Sequence, residues 1–215
     1  MRVCGAIRGT FRCYHQAMKN CLDIEGPAGK LEVMVDQPDN AGDTWAVLCH
    51  PHPLYGGSMH DGVLDIAANV ALYKGISVVR FNFRGVGRSA GTHSGGAGEA
   101  DDLAAVLAWL ASTHHPARTL LCGYSFGSSI AWHIAGKTGS LELLLLIAPP
   151  VGMMPFDPPA PSCLVHAIWG DSDSFVDEEA LEALPGVVQH CIEDADHFFM
   201  GCHEGLSAAV DEALS

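Results

Sequence analysis

The chain has 215 residues, 48% hydrophobic and 17% charged, which is ample for one sizeable core and excludes a disordered chain. Eleven Lys and Arg against 25 Asp and Glu leave a formal net charge of −14, a field that repels a phosphate backbone and argues against a nucleic-acid partner. Eight scattered cysteines without a C-x-x-C pair read as reduced thiols of a cytoplasmic protein.

Residues 1–17 carry Arg2, Arg8 and Arg12 and no acid, and no amphipathic stripe runs through Cys4–Gln16. They read as an extension, a loose tail or a mis-assigned start, rather than a transit peptide. Next, Leu22–Glu25 and Lys30–Val35 flank Gly26-Pro27-Ala28-Gly29, a hairpin signal. Trp45–Cys49 and Ile76–Phe83 read as strands, the second rich in β-branched and aromatic residues. Leu103, Val106, Leu107 and Leu110 recur at helical spacing, with Glu99, Asp101 and Asp102 near the helix start. Four more apolar runs follow: Thr119–Cys122, Leu143–Ala148, Cys163–Trp169 and Val187–Ile192. Strand runs alternating with helical patterns predict an α/β fold, and residues 18–215 show neither repeat nor linker, so they read as one domain. The stretch between Arg118 and Lys137 lacks charged residues, but its glycines, serines and His133 make it too polar to span a membrane.

Gly123-Tyr124-Ser125-Phe126-Gly127 matches G-x-S-x-G between an apolar run and the helix-compatible Ser128–Ala135. A serine on such a sharp turn needs glycines beside it for close chain passage, and the Phe126 N–H then faces a developing oxyanion. Ser125 needs a histidine base and a carboxylate that orients it, in the order Ser, acid, His. His197 lies in a polar loop after the last apolar run, where sites collect in an α/β sheet; His190 and His203 stay as weaker options. His133 is too close in sequence to fold back, and His166 reads as a packed core residue. Of the three aspartates after Trp169, Asp171 follows the turn glycine and Asp177 looks like a helix start, which leaves Asp173 as the orienting acid by elimination.

His50-Pro51-His52-Pro53-Leu54-Tyr55-Gly56-Gly57 also suggests a metal through H-x-H, with His60 and Asp61 nearby, but no fourth ligand is identified and no metal is expected. The alternative role is a second oxyanion donor, a backbone N–H of Leu54 or Tyr55. Gly85-Val86-Gly87-Arg88-Ser89-Ala90 fits a dinucleotide pattern, but no helix opens there and no acid follows at the required distance. It reads as a structural loop, and no cofactor is expected.

Together HPHPLYGG (50–57), FNFRGVGRS (81–89), GYSFG (123–127), IAPP (147–150), GDSD (170–173) and DHFF (196–199) resemble the α/β-hydrolase superfamily. More narrowly, the chain is similar to a small family of bacterial hydrolases related to dienelactone-hydrolase-like enzymes. That resemblance implies a mostly parallel twisted sheet with helices on both faces, with Ser125 as nucleophile, Asp173 as acid and His197 as base. Dienelactone hydrolases proper carry a cysteine where this chain has Ser125. The short proline-rich connection Pro149–Ser162 cannot build a helical lid, so the site is expected to be open and to take short acyl groups. Met153, Met154 and Phe156 in it read equally as an acyl wall or as core packing. The expected substrate is a small-molecule carboxylic ester or thioester. An acyltransferase, a peptidase on the same residues and a non-enzymatic binding protein are the alternatives.

Overall fold

The computed structural model describes residues 18–157 and 159–215; the expected extension 1–17 lies outside them. The hairpin signal closes as read. β1 (Met18–Gly26) and β2 (Gly29–Gln37) pair antiparallel around Pro27-Ala28, with Gly26 opposite Gly29. β3 (Thr44–Cys49) then leads through a single 3-10 turn, Pro53–Tyr55, into α1 (Gly62–Tyr73). The Asp61 carboxylate caps α1 by accepting from Val63 N–H and Leu64 N–H. β4 (Ser77–Phe81), α2 (Ala97–His114), β5 (Arg118–Tyr124), α3 (Phe126–Ala135) and β6 (Leu143–Ile147) follow. β7 (Leu164–Gly170), α4 (Glu178–Glu182), β8 (Val187–Ile192) and α5 (His203–Ala213) complete the described chain.

The strands form one sheet in the order β1-β2-β4-β3-β5-β6-β7-β8, antiparallel at the β1–β2 and β2–β4 contacts and parallel from β4 to β8. Alternate residues along each strand face opposite sides. Trp45, Val47 and Cys49 of β3 join a core with α2, α3 and α4, while Ala46 and Leu48 join a second core with α1 and α5. Parallel strands covered on both faces read as unbroken apolar runs, which is why Leu143–Ile147 shows no alternation in sequence.

From β3 the chain crosses to β4 on one side, and later strands extend on the other. The crevice at such a reversal, outside the carboxyl ends of β3 and β5, is where α/β sheets place ligands. After β6 the chain meets α3 at Pro155 and Asp157. Ser129 Oγ donates to the Pro155 carbonyl (2.8 Å) and Trp132 Nε1–H to that of Asp157 (3.1 Å). Phe156 is buried against Trp132 and Met154 packs on the same core, so these two are packing residues, whereas Met153 is exposed.

Candidate active site

Ser125 sits between β5 and α3 with φ +52, a left-handed conformation costly for a residue with a side chain. The surrounding chain holds it there. Its N–H donates to the Ile147 carbonyl at 2.8 Å. A Cβ at Gly123 would lie 2.3 Å from the Gly127 carbonyl oxygen, and one at Gly127 would lie 2.3 Å from that of Cys49. Only glycine at both places lets the turn close against the end of β3.

β7 and β8 deliver two further groups to this turn. The Asp173 carboxylate, in the turn after β7, is buried; Oδ1 accepts from Phe175 N–H at 2.8 Å. Its Oδ2 lies 2.7 Å from His197 Nδ1, and His197 Nε2 lies 2.9 Å from Ser125 Oγ. With the carboxylate as acceptor, Nδ1 carries the proton and Nε2 offers its lone pair to the serine hydroxyl. Tyr124, one residue before the serine, donates its hydroxyl to the His197 carbonyl at 3.1 Å; burial pushes that phenol well above its ordinary pKa. The motif leaves position 124 unspecified, so this tether is invisible in sequence.

The other candidates are elsewhere. Asp177 caps α4 through Ala180 N–H, and Asp171 is exposed. His166 Nδ1 pairs with His190 Nε2 at 2.8 Å, the two rings stacked between β7 and β8. Exposed His133 contacts Lys137, and exposed His203 begins α5.

The Leu54 and Tyr55 amides, expected as second oxyanion donors, are engaged within their own turn. Leu54 N–H donates to His52 Nδ1 (3.2 Å) and Tyr55 N–H to the His52 carbonyl (3.1 Å), both used in closing the 3-10 turn. The amide of His52 is different. Pro51 and Pro53 have no N–H, so His52 supplies the one donor of this triplet, and among the described residues it donates to no protein group. The same holds for Phe126 N–H at the first turn of α3. The His52 and Phe126 rings are 4.9 Å apart, so the two residues that carry these free amides are packed against each other.

The remaining motifs are structural. His50 is buried; its Nδ1–H donates to the Pro51 carbonyl (2.6 Å) and its Nε2 accepts from Phe83 N–H (3.0 Å), leaving no lone pair for a metal. Burial lowers its pKa to about 4. In the glycine loop the Glu32 carboxylate accepts from Arg88 N–H (2.8 Å) and Asn82 Nδ2–H (2.9 Å). It therefore takes an amide that a phosphate would need.

Comparison with known proteins agrees with this fold. Residues 52–186 match the family model described as serine aminopeptidase, S33. An uncharacterised protein of Rickettsia prowazekii, RP471, is 33% identical over 206 residues, covering 89% of this chain and 87% of its own length. XC6422 from Xanthomonas campestris, described as an α/β serine hydrolase without a lid, is 36% identical with a TM-score of 0.85, over 91% of this chain and 93% of that one. An α/β serine hydrolase homologue from Coxiella burnetii is 33% identical with a TM-score of 0.86, over 91% of this chain and 97% of that one. The esterase Pf2001 of Pyrococcus furiosus shares the fold at 19% identity, with a TM-score of 0.73 over 92% of each chain. The chain belongs to the α/β serine hydrolases, in the family described as serine aminopeptidase, S33, and among its small lidless members related to dienelactone-hydrolase-like enzymes.

Proposed function

We propose that the protein hydrolyses a small carboxylic ester or thioester with a short acyl group through Ser125, His197 and Asp173. The observation that carries this reading is the unbroken chain of contacts from Asp173 through His197 to a serine hydroxyl on a strained turn, 2.7 and 2.9 Å long. Ser125 Oγ attacks the carbonyl carbon while His197 Nε2 takes its proton, and Asp173 stabilises the resulting imidazolium. The carbonyl oxygen, now an anion, is held by the N–H groups of Phe126 and His52; one such donor contributes about 2.7–4 kcal/mol to the transition state. The intermediate collapses, the bond to the leaving oxygen or sulfur breaks, and that atom receives the proton from His197. Water, deprotonated by His197, attacks the acyl-enzyme and releases the acid. Every step uses groups of the chain itself and water, so no cofactor enters the scheme.

A cytoplasmic location fits this reading. The six cysteines among the described residues are free thiols, and no helix there is long and apolar enough to cross a membrane.

The test is labelling with a fluorophosphonate followed by peptide mapping, alongside a panel of short-chain esters. Label on Ser125, and loss of label and turnover together in a folded Ser125→Ala variant, are expected. Retained esterase activity in that variant would overturn the assignment. The description of the matched family favours peptide bonds as a second reading. Turnover of aminoacyl anilides in preference to the matched esters would establish it.

A further inference from the structure

Nine large apolar side chains are exposed among the described residues. Six of them, Leu54, Tyr55, Met153, Phe175, Phe198 and Met200, stand on loops leaving the carboxyl ends of β3, β6, β7 and β8, the same rim as Ser125. Contiguous apolar surface around a reactive group is ligand surface more often than idle surface.

Two of the six pack on the base, and a third, Met200, leaves the same turn. The Phe175 ring lies 4.6 Å from the His197 ring, and the Phe198 ring lies 5.4 Å away and edge-on. Phe175 is 42% exposed, Phe198 58% and Met200 68%. The turn holds the last two outward. Asp196 Oδ1 accepts from both Phe198 N–H and Met200 N–H at 3.0 Å. Phe199 between them is fully buried at φ +54, a conformation a bulky aromatic residue rarely adopts. Strain is thus maintained to anchor one ring and present its two neighbours to solvent.

Chemistry decides which part of an ester meets this surface. His197 must hand its proton to the departing oxygen, so the alcohol portion lies on the imidazole side, while the carbonyl oxygen faces Phe126 and His52 N–H. We infer that Phe175, Phe198 and Met200 form a leaving-group subsite, and that the preferred substrates are short-acyl esters of apolar, aromatic alcohols. This rests on the catalytic reading above. The step is the same one: the ester C–O bond breaks, the proton from Ser125 Oγ reaches the alkoxide oxygen through His197 Nε2, and a neutral alcohol departs across the two rings. Offset or edge-on packing on phenylalanine suits an aromatic alcohol. The neighbouring Glu193, Asp194 and Asp196 repel a polyanionic thiol carrier.

The full chain is assayed with acetate esters of ethanol, benzyl alcohol and 2-phenylethanol, and with ethyl esters of acetate and hexanoate. From ethyl to phenylethyl acetate, kcat/KM rises about tenfold. Phe198→Ala and Met200→Ala each remove most of that ratio, Phe198→Leu keeps part of it, and all three leave the ratio between the two ethyl esters unchanged. A flat alcohol series in the wild type overturns the subsite. So does an equal loss on every ester in Phe198→Ala, which assigns the ring to propping the imidazole alone. Failure of the catalytic reading looks different: no acetate is turned over, Ser125 takes no label, and the subsite falls with it.

Discussion

The hydroxyl of Tyr124 donates to the main-chain carbonyl of His197, so the residue before the nucleophile holds the backbone of the base. Nucleophile and base are thereby fixed to each other across β5 and the loop after β8. Tyr124→Phe keeps the ring and removes the tether. It leaves a buried carbonyl short of a partner, at a cost of about 1–3 kcal/mol in stability. With His197 no longer pinned, kcat falls while KM for a short ester stays near the wild-type value. Urea unfolding and steady-state kinetics on one preparation check both expectations.

Asp173→Asn replaces an acceptor-only carboxylate by an amide that presents a donor to Nδ1. The imidazole then turns to its other tautomer, and the lone pair facing Ser125 is lost. A fall in kcat of about 10⁴-fold is expected with the fold retained. A loss of less than tenfold in a folded variant would remove Asp173 from the scheme.

His52 has φ −57, a value proline adopts without strain. His52→Pro therefore deletes the free amide, and His52→Ala deletes the side chain with its bond to Leu54 but keeps the amide. The proline variant is expected to lose about 10²–10³ in kcat relative to the alanine variant. Equal activity in the two would exclude this amide from oxyanion binding.

Burial lowers the pKa of His50 to about 4, against about 6.5 for an unfolded histidine. Between those values the unfolded chain binds a proton that the folded chain does not. Stability is therefore full above pH 6.5 and declines as the pH falls toward 4, by on the order of 3 kcal/mol from this residue. His52, His114 and His166, lowered in the same direction by burial, add to the slope. Urea midpoints at pH 7.5, 5.5 and 4.5 should show the decline, and His50→Gln should be less stable at pH 7.5 with a shallower dependence on pH.

Strand runs with marked ends were legible from residues alone: Val187–Ile192 is β8 as read, and Gly26–Gly29 turns the hairpin. α1 gave no signal, because Gly62–Tyr73 is apolar around most of its circumference and lacks a stripe. α5 buries Leu206, Ala209, Val210 and Ala213 at i, i+3, i+4 and i+7, a narrow stripe on an otherwise polar helix that was legible in the residues. The run Ile76–Phe83 looked like one strand but stops at Phe81. Asn82 turns aside to receive Met59 N–H and to donate to Glu32. In the site, chain order and loop position single out Ser125, Asp173 and His197, which the structure brings into contact. The engagement of Leu54 and Tyr55 amides by His52 depends on a closed 3-10 turn, which composition does not encode.

Ser125 leaves β5, a strand braced by β3 on one side and β6 on the other, whereas His197 follows β8, which has β7 as its single neighbour among the described residues. The proton acceptor thus hangs from an edge of the sheet and the nucleophile from its interior. Opening that margin needs less free energy than melting the whole domain. On warming, turnover is silenced by fraying there first, with the hydroxyl still seated in an intact interior and nothing left to take its proton.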